Sequence, residues 1–269
     1  MEVHDLEFSL EHLASQGKTL NIHEITRLKA GLTLLRENEG VDSVFFWGKV
    51  LGAAENFFVA FILKPGAVEF PSKKFYWSNS SFEFAELPLL ADGDSTLIQT
   101  LFEDVQAPFS GSPHKPLSVG GVDSPRLTEL HRLSALVRQI DAETSAVPRG
   151  SFRLDESGSV GPSFGFRGLS VTAAQELRNW VHFRPSSDVD KLRAIASDDV
   201  QFHKEFLDSV ETDLPLGCWN VRTSTAADAV FLRSLLWPGY SAFHLTGTDR
   251  FGGCYVGVGE RKNDLAFLL

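Results

Sequence analysis

Eight histidines, two cysteines and a dense set of carboxylates are the side chains from which this chain of 269 residues could build a reactive site. The histidines fall at 4, 12, 23, 114, 131, 182, 203 and 244. None stands four residues from another on one helix, so the paired-histidine metal site of a helical protease motif is not written here. Cys218 and Cys254 form no CxxC pair and cannot supply a four-sulfur site, and they read as buried small thiols in a reducing compartment. Gly257-Val258-Gly259-Glu260-Arg261-Lys262 opens like a dinucleotide loop, yet Lys262 stands where its third glycine belongs. No GxxxxGK[ST] loop, GxSxG elbow, HExxH or calcium loop is present. Asp188, Asp190, Asp198 and Asp199 read as helix-start and surface acids. The sequence therefore offers no catalytic, metal-binding or cofactor-binding residue. One alternative stays open, a soluble ligand-binding or enzymatic module with a pocket near Trp180, His182 and Trp219.

The residues that stand out instead are large rings beside small or rigid neighbours: Phe46-Trp47-Gly48 near the start, then Trp237-Pro238-Gly239 and Tyr255 near the end. These are the candidate packing or interface residues. A glycine or proline there lets a ring fold over adjacent backbone or lets a strand bend.

The elements that must position them can be read from periodicity. Asn21 and Glu24 have capping-box spacing, Leu20 and Ile25 suit a hydrophobic staple, and Ile25, Leu28, Leu32 and Leu35 form one stripe up to Gly40. A shorter helix is expected from Asp5 to Ser15. Val44–Leu51 and Phe57–Leu63 read as strands apolar on both faces, with a further hairpin around Asn79-Ser80. Residues 108–122, rich in Pro, Gly and Ser, read as a connecting loop. Ser124 and Pro125 are expected to start a helix carrying the seam Leu130, Leu133, Val137 and Ile140. Thr172 and Gln175 suggest a helix reaching His182, and further helices are expected over Asp188–Ala196 and Val200–Val210. From Gly217 onward the pattern turns to strands at Trp219–Arg222, Ala229–Leu236, Ser241–Leu245 and Gly253–Val258. Helices and strands in blocks imply an α+β fold, with helical segments packed on an antiparallel sheet built from N-terminal and C-terminal hairpins. The expected organisation is a single unit over 1–269.

Composition narrows the partners. Phe outnumbers Tyr and Trp, 22 against 3 and 5, so many rings with no polar handle must be buried in a core or a partner. A net charge of −10 argues against nucleic acid and anionic membrane as partners. The acidic N-terminus does not resemble a signal peptide, and no stretch approaches a membrane span, so a cytosolic space is expected.

Several segments together resemble the radial spoke head protein 9 family of the ciliary and flagellar axoneme. They are Phe46-Trp47-Gly48-Lys49-Val50-Leu51-Gly52, Ile140-Asp141 with Val147-Pro148-Arg149-Gly150, His182-Phe183-Arg184, Leu232 to Gly239, and Tyr255 to Glu260 with Asp264-Leu265 and Phe267. The Trp-Pro-Gly block is also similar to one in the larger head proteins 4 and 6. Residues 64–122 match the pattern least. The resemblance implies a structural protein without catalytic residues, cofactor or small-molecule substrate. It implies assembly with head proteins of the 4 and 6 type and the stalk scaffold, facing central-pair projections, in a complex that regulates dynein-driven bending.

Overall fold

The computed structural model describes residues 1–64, 70–91, 98, 108–119, 122–155, 159–196, 205–226 and 228–268. Helix α1 (Leu6–Ala14) follows a 3-10 turn and buries Leu6, Leu10 and Leu13. Helix α2 (Ile22–Glu39) begins at the capping box the sequence writes. Asn21 Oδ1 accepts from the Glu24 N–H at 2.8 Å, and Glu24 Oε2 accepts from the Asn21 N–H at 3.0 Å. Gly40, with φ of 62°, ends the helix in the left-handed conformation.

Strands β1 (Phe45–Val50), β2 (Phe57–Lys64), β3 (Ser72–Ser78) and β4 (Ala85–Glu86) follow as an antiparallel meander. A small hairpin, β5 (Pro116–Val119) with β6 (Val122–Thr128), leads into α3 (Glu129–Thr144). Next come β7 (Ala146–Pro148), the β8 (Phe152–Leu154) and β9 (Val160–Pro162) hairpin, α4 (Val171–Ala174), β10 (Trp180–His182) and α5 (Val189–Ala196). The chain closes with β11 (Trp219–Thr223), β12 (Ala229–Ser234), β13 (Tyr240–Leu245) and β14 (Phe251–Gly257).

Eight of these strands form one sheet in the order β11-β12-β13-β14-β1-β2-β3-β4. The α+β class is borne out, and the N-terminal and C-terminal strand regions share this sheet. The sheet is mixed where an antiparallel one was expected. Its two halves meet at β1 and β14, which run parallel with Gly48 opposite Tyr255, while every other neighbouring pair in it is antiparallel. A parallel junction needs a long crossover between its strands, and the whole middle of the chain supplies it.

Both faces of the sheet are covered from within. In β2, Phe58, Ala60 and Ile62 join the core built with α1 and α2, while Phe57 and Val59 join the core built with α3. In β12, Ala229 and Phe231 take the first side and Val230 and Leu232 the second. This is the period of two that a strand imposes, with helices on each face. Burial of both faces explains why these strands read as continuous apolar runs.

Other sequence expectations need correction. Ser124 and Pro125 lie in β6, and α3 starts at Glu129, with the Thr128 N–H donating to His131 Nδ1 at 3.2 Å. The expected loop at 108–122 carries β5 and the start of β6, with 120–121 outside the described residues. The expected helix from Thr172 to His182 is only the single turn of α4, capped by Ser170. Beyond it Trp180–His182 pair with Ala146–Pro148, because an apolar Trp-Val pair gains more in a strand against β7 than on a short helix. Of the helix expected over Val200–Val210, residues 200–204 lie outside the described residues, and 206–209 are not helical.

Candidate functional site

The candidate residues Trp47, Gly48, Trp237, Pro238, Gly239 and Tyr255 come together where the two halves of the sheet join. Tyr255 is the centre. Its ring is 1% exposed and lies against the Trp47 indole, with centroids 5.5 Å apart. Trp47 is the extra residue of a bulge in β1, since Phe46 opposes Ala60 and Gly48 already opposes Val59. Trp47 lies on the α3 side and Phe46 on the α1–α2 side, and the extra residue shifts the alternation so that Lys49 meets Glu24 of α2 while Val50 joins the core on the α3 side. Phe46 is thus apart from the other candidates, on the opposite face.

Two glycines make the slot. A Cβ on Gly48 would lie 2.2 Å from the Tyr255 carbonyl oxygen, and one on Gly239 would lie 2.3 Å from the Tyr255 ring. The phenol oxygen accepts the Gly259 N–H at 2.9 Å, and burial pushes the Tyr255 hydroxyl up to about 12. The Trp-Pro-Gly turn is tied from three sides. The Trp237 N–H reaches Ser234 Oγ at 3.0 Å, its indole N–H reaches Glu143 Oε2 at 2.8 Å, and the Gly239 carbonyl accepts the Val256 N–H at 2.9 Å. Lys18, on the loop between α1 and α2, is 7% exposed and donates to the carbonyls of Pro238 at 3.1 Å and Val256 at 3.3 Å. Burial lowers its pKa. Nothing in the sequence singled out Lys18, because a lone lysine in a turn carries no pattern that names a partner so far along the chain.

The pocket alternative also has a place in the fold. A cleft of about 140 Å³ is lined by His182 and Trp219; Trp180 is not part of it. The Trp180 ring is fully buried and its indole N–H donates to the Ala174 carbonyl at 2.8 Å. In the cleft, His182 Nε2 lies 2.8 and 3.0 Å from the Asp213 carboxylate oxygens, and the Trp219 indole donates to the same carboxylate at 2.7 Å. Glu143 receives the Trp237 indole and, at 3.2 Å, Arg261 Nε. Burial pushes the Cys218 thiol up to about 11, so it stays protonated and a poor nucleophile at neutral pH. Asp213 holds Nε2 of the His182 ring, and no hydroxyl or thiol hydrogen-bonds that ring among the described residues. No group of three or more metal-binding side chains occurs among the described residues.

Fold and site together define a class: a helix-covered α+β sheet whose conspicuous aromatic residues pack its own junction and whose cleft is lined by a polar network of His182, Asp213, Trp219, Glu143 and Arg261. No protein-family model matches the chain. Among curated proteins it is similar from end to end to radial spoke head protein 9 homologs. The identity is 29% to that of Danio rerio, 28% to that of Bos taurus and 29% to that of Homo sapiens, each covering 100% of both chains. The resemblance carried by the motifs is therefore borne out along the whole length.

Proposed function

We propose that this chain is a structural, non-catalytic subunit of the radial spoke head in the axoneme of cilia and flagella. It serves spoke-head assembly and, through the head, the regulation of dynein-driven bending. Its neighbours in this reading are head proteins of the 4 and 6 type and the stalk scaffold, with the head facing the central pair. The observation that carries it is the full-length similarity to proteins named for that head. Two features of the molecule agree. The two cleft carboxylates, Asp213 and Glu143, are engaged by neighbouring side chains, and the junction residues hold the sheet. Exposed Leu214, Leu216, Phe164 and Phe267 leave apolar surface for neighbours.

The test is a tagged chain in a ciliated cell, with axonemes isolated and extracted. The tag is expected to co-purify with spoke proteins, and deletion of the gene is expected to remove heads and impair beating. Intact heads with normal motility in the deletion strain would sink the proposal.

A further inference from the structure

The cleft between the end of α3, β10, the approach to β11 and the segment after β14 holds more hydrogen-bond donors than the fold consumes. Its charged lining is Glu143, Asp213, Arg184 and Arg261. Both carboxylates are committed. Asp213 serves His182 and Trp219, while Glu143 serves Trp237, Arg261 and, through Oε1, Gln139 at 3.2 Å. The arginines are only partly committed. Arg184 uses Nε on the Ala142 carbonyl and Nη1 on the Pro185 carbonyl and Asp208. Arg261 uses Nε on Glu143 and Nη1 on Asn263. Among the described residues the Nη2 group of neither arginine has a partner.

The spare capacity is therefore guanidinium N–H, and its best partner is an ionised oxygen, since charge-assisted bonds are about twice as strong as neutral ones. The cavity is about 140 Å³, comparable to a space that holds a benzene-sized molecule, so a carboxylate with a short carbon tail fits. Apolar lining is also at hand: Leu236 lies in the wall, and Leu214 lines the cleft while being 75% exposed. The four charged side chains cancel, which disfavours a bare anion held by net field alone and favours a ligand that pairs a carboxylate with an apolar tail.

We propose that this cleft binds a carboxylate through Arg184 and Arg261, presented either by an acidic side chain of a neighbouring protein or by a free small acid. The chemistry does not depend on the spoke-head assignment, because its first test uses the isolated full chain. The indole N–H groups of Trp219 and Trp237 sit on the two lining carboxylates and report on the cleft by nuclear magnetic resonance. Titration with propionate is expected to move both resonances saturably, and propionamide to bind about tenfold more weakly. Arg261→Gln is expected to weaken propionate binding about tenfold with the spectrum otherwise dispersed as in wild type, and Arg261→Lys to fall between. Equal response to propionamide or to sodium chloride at matched ionic strength, no saturation, or unchanged binding by Arg261→Gln each overturns the site. In ciliated cells, loss of the Arg261→Gln chain from axonemes assigns the carboxylate to a neighbouring protein. Normal incorporation, with propionate binding lost in the isolated chain, assigns it to a free acid.

Discussion

Gly48 and Gly239 face the same tyrosine for different reasons, and the difference can be measured. At Gly48 the obstacle is Tyr255 backbone, at 2.2 Å from a built Cβ, whereas at Gly239 it is the Tyr255 ring, at 2.3 Å. Overpacking of this kind costs about 1–3 kcal/mol when the surroundings can shift. Gly48→Ala and Gly239→Ala are each expected to lower stability by at least that amount in urea denaturation. Adding Tyr255→Leu should recover part of the Gly239→Ala loss, because the ring is gone. It should recover none of the Gly48→Ala loss, because the carbonyl stays. Equal rescue at both positions would contradict this geometry. At this scale the sequence was legible where chemistry is local: a glycine after Trp47 and one after Pro238 announced close approach. It could not say that both approach one ring, since that depends on Tyr255 arriving from a distant strand.

The link from β10 to α5 is organised by one carboxylate. Asp208 accepts from Ser186 Oγ at 2.5 Å, the Ser187 N–H at 2.8 Å, Arg184 Nη1 at 3.0 Å and Lys191 Nζ at 3.2 Å. Burial alone would raise its pKa, but the bonds from Ser186, Ser187 and Lys191 outweigh it and bring the group from 3.8 down to about 2. A folded pKa below the unfolded one means the stabilisation is complete above the unfolded value and is lost as pH falls from about 4 through about 2. Asp208→Asn is therefore expected to melt below wild type at pH 7, with the gap shrinking between pH 4 and pH 2. A gap independent of pH would show that the charge is not what matters. Elements set by short-range signals were readable in advance: the Asn21–Glu24 box, Gly40, and the C-terminal meander with its turns. Elements set by partners were not. Trp180 and Val181 lie in a strand because β7 is beside them, and Pro125 sits in a hairpin rather than at a helix start. The strands read as apolar on both faces are covered by α1, α2 and α3 of the chain itself, a fact no period of two can disclose.

On the scale of the whole molecule, the β1–β14 junction decides whether the chain is one cooperative unit. The N-terminal meander and the C-terminal meander each have their own antiparallel pairing, so either could persist as a subunit if the junction were weak. Three contacts argue against that. Lys18 reaches from the α1–α2 loop to Pro238 and Val256, the His12 ring stacks on Phe243 at 5.6 Å, and Lys73 of β3 meets Asp141 of α3 at 2.6 Å. Each ties one part of the chain to another, and burial on both sheet faces is shared between the halves. The full chain is thus expected to unfold in a single transition, with tryptophan fluorescence and far-ultraviolet circular dichroism coinciding. Hydrogen exchange supplies the stricter test. Gly48→Ala strains β1 where it lies between Tyr255 of β14 and Val59 of β2, so a single unit should lose amide protection by the same free energy in β2 and in β12 and β13. If β12 and β13 keep wild-type protection while β2 exchanges early, the two meanders are separate folding units joined by a weak parallel pair.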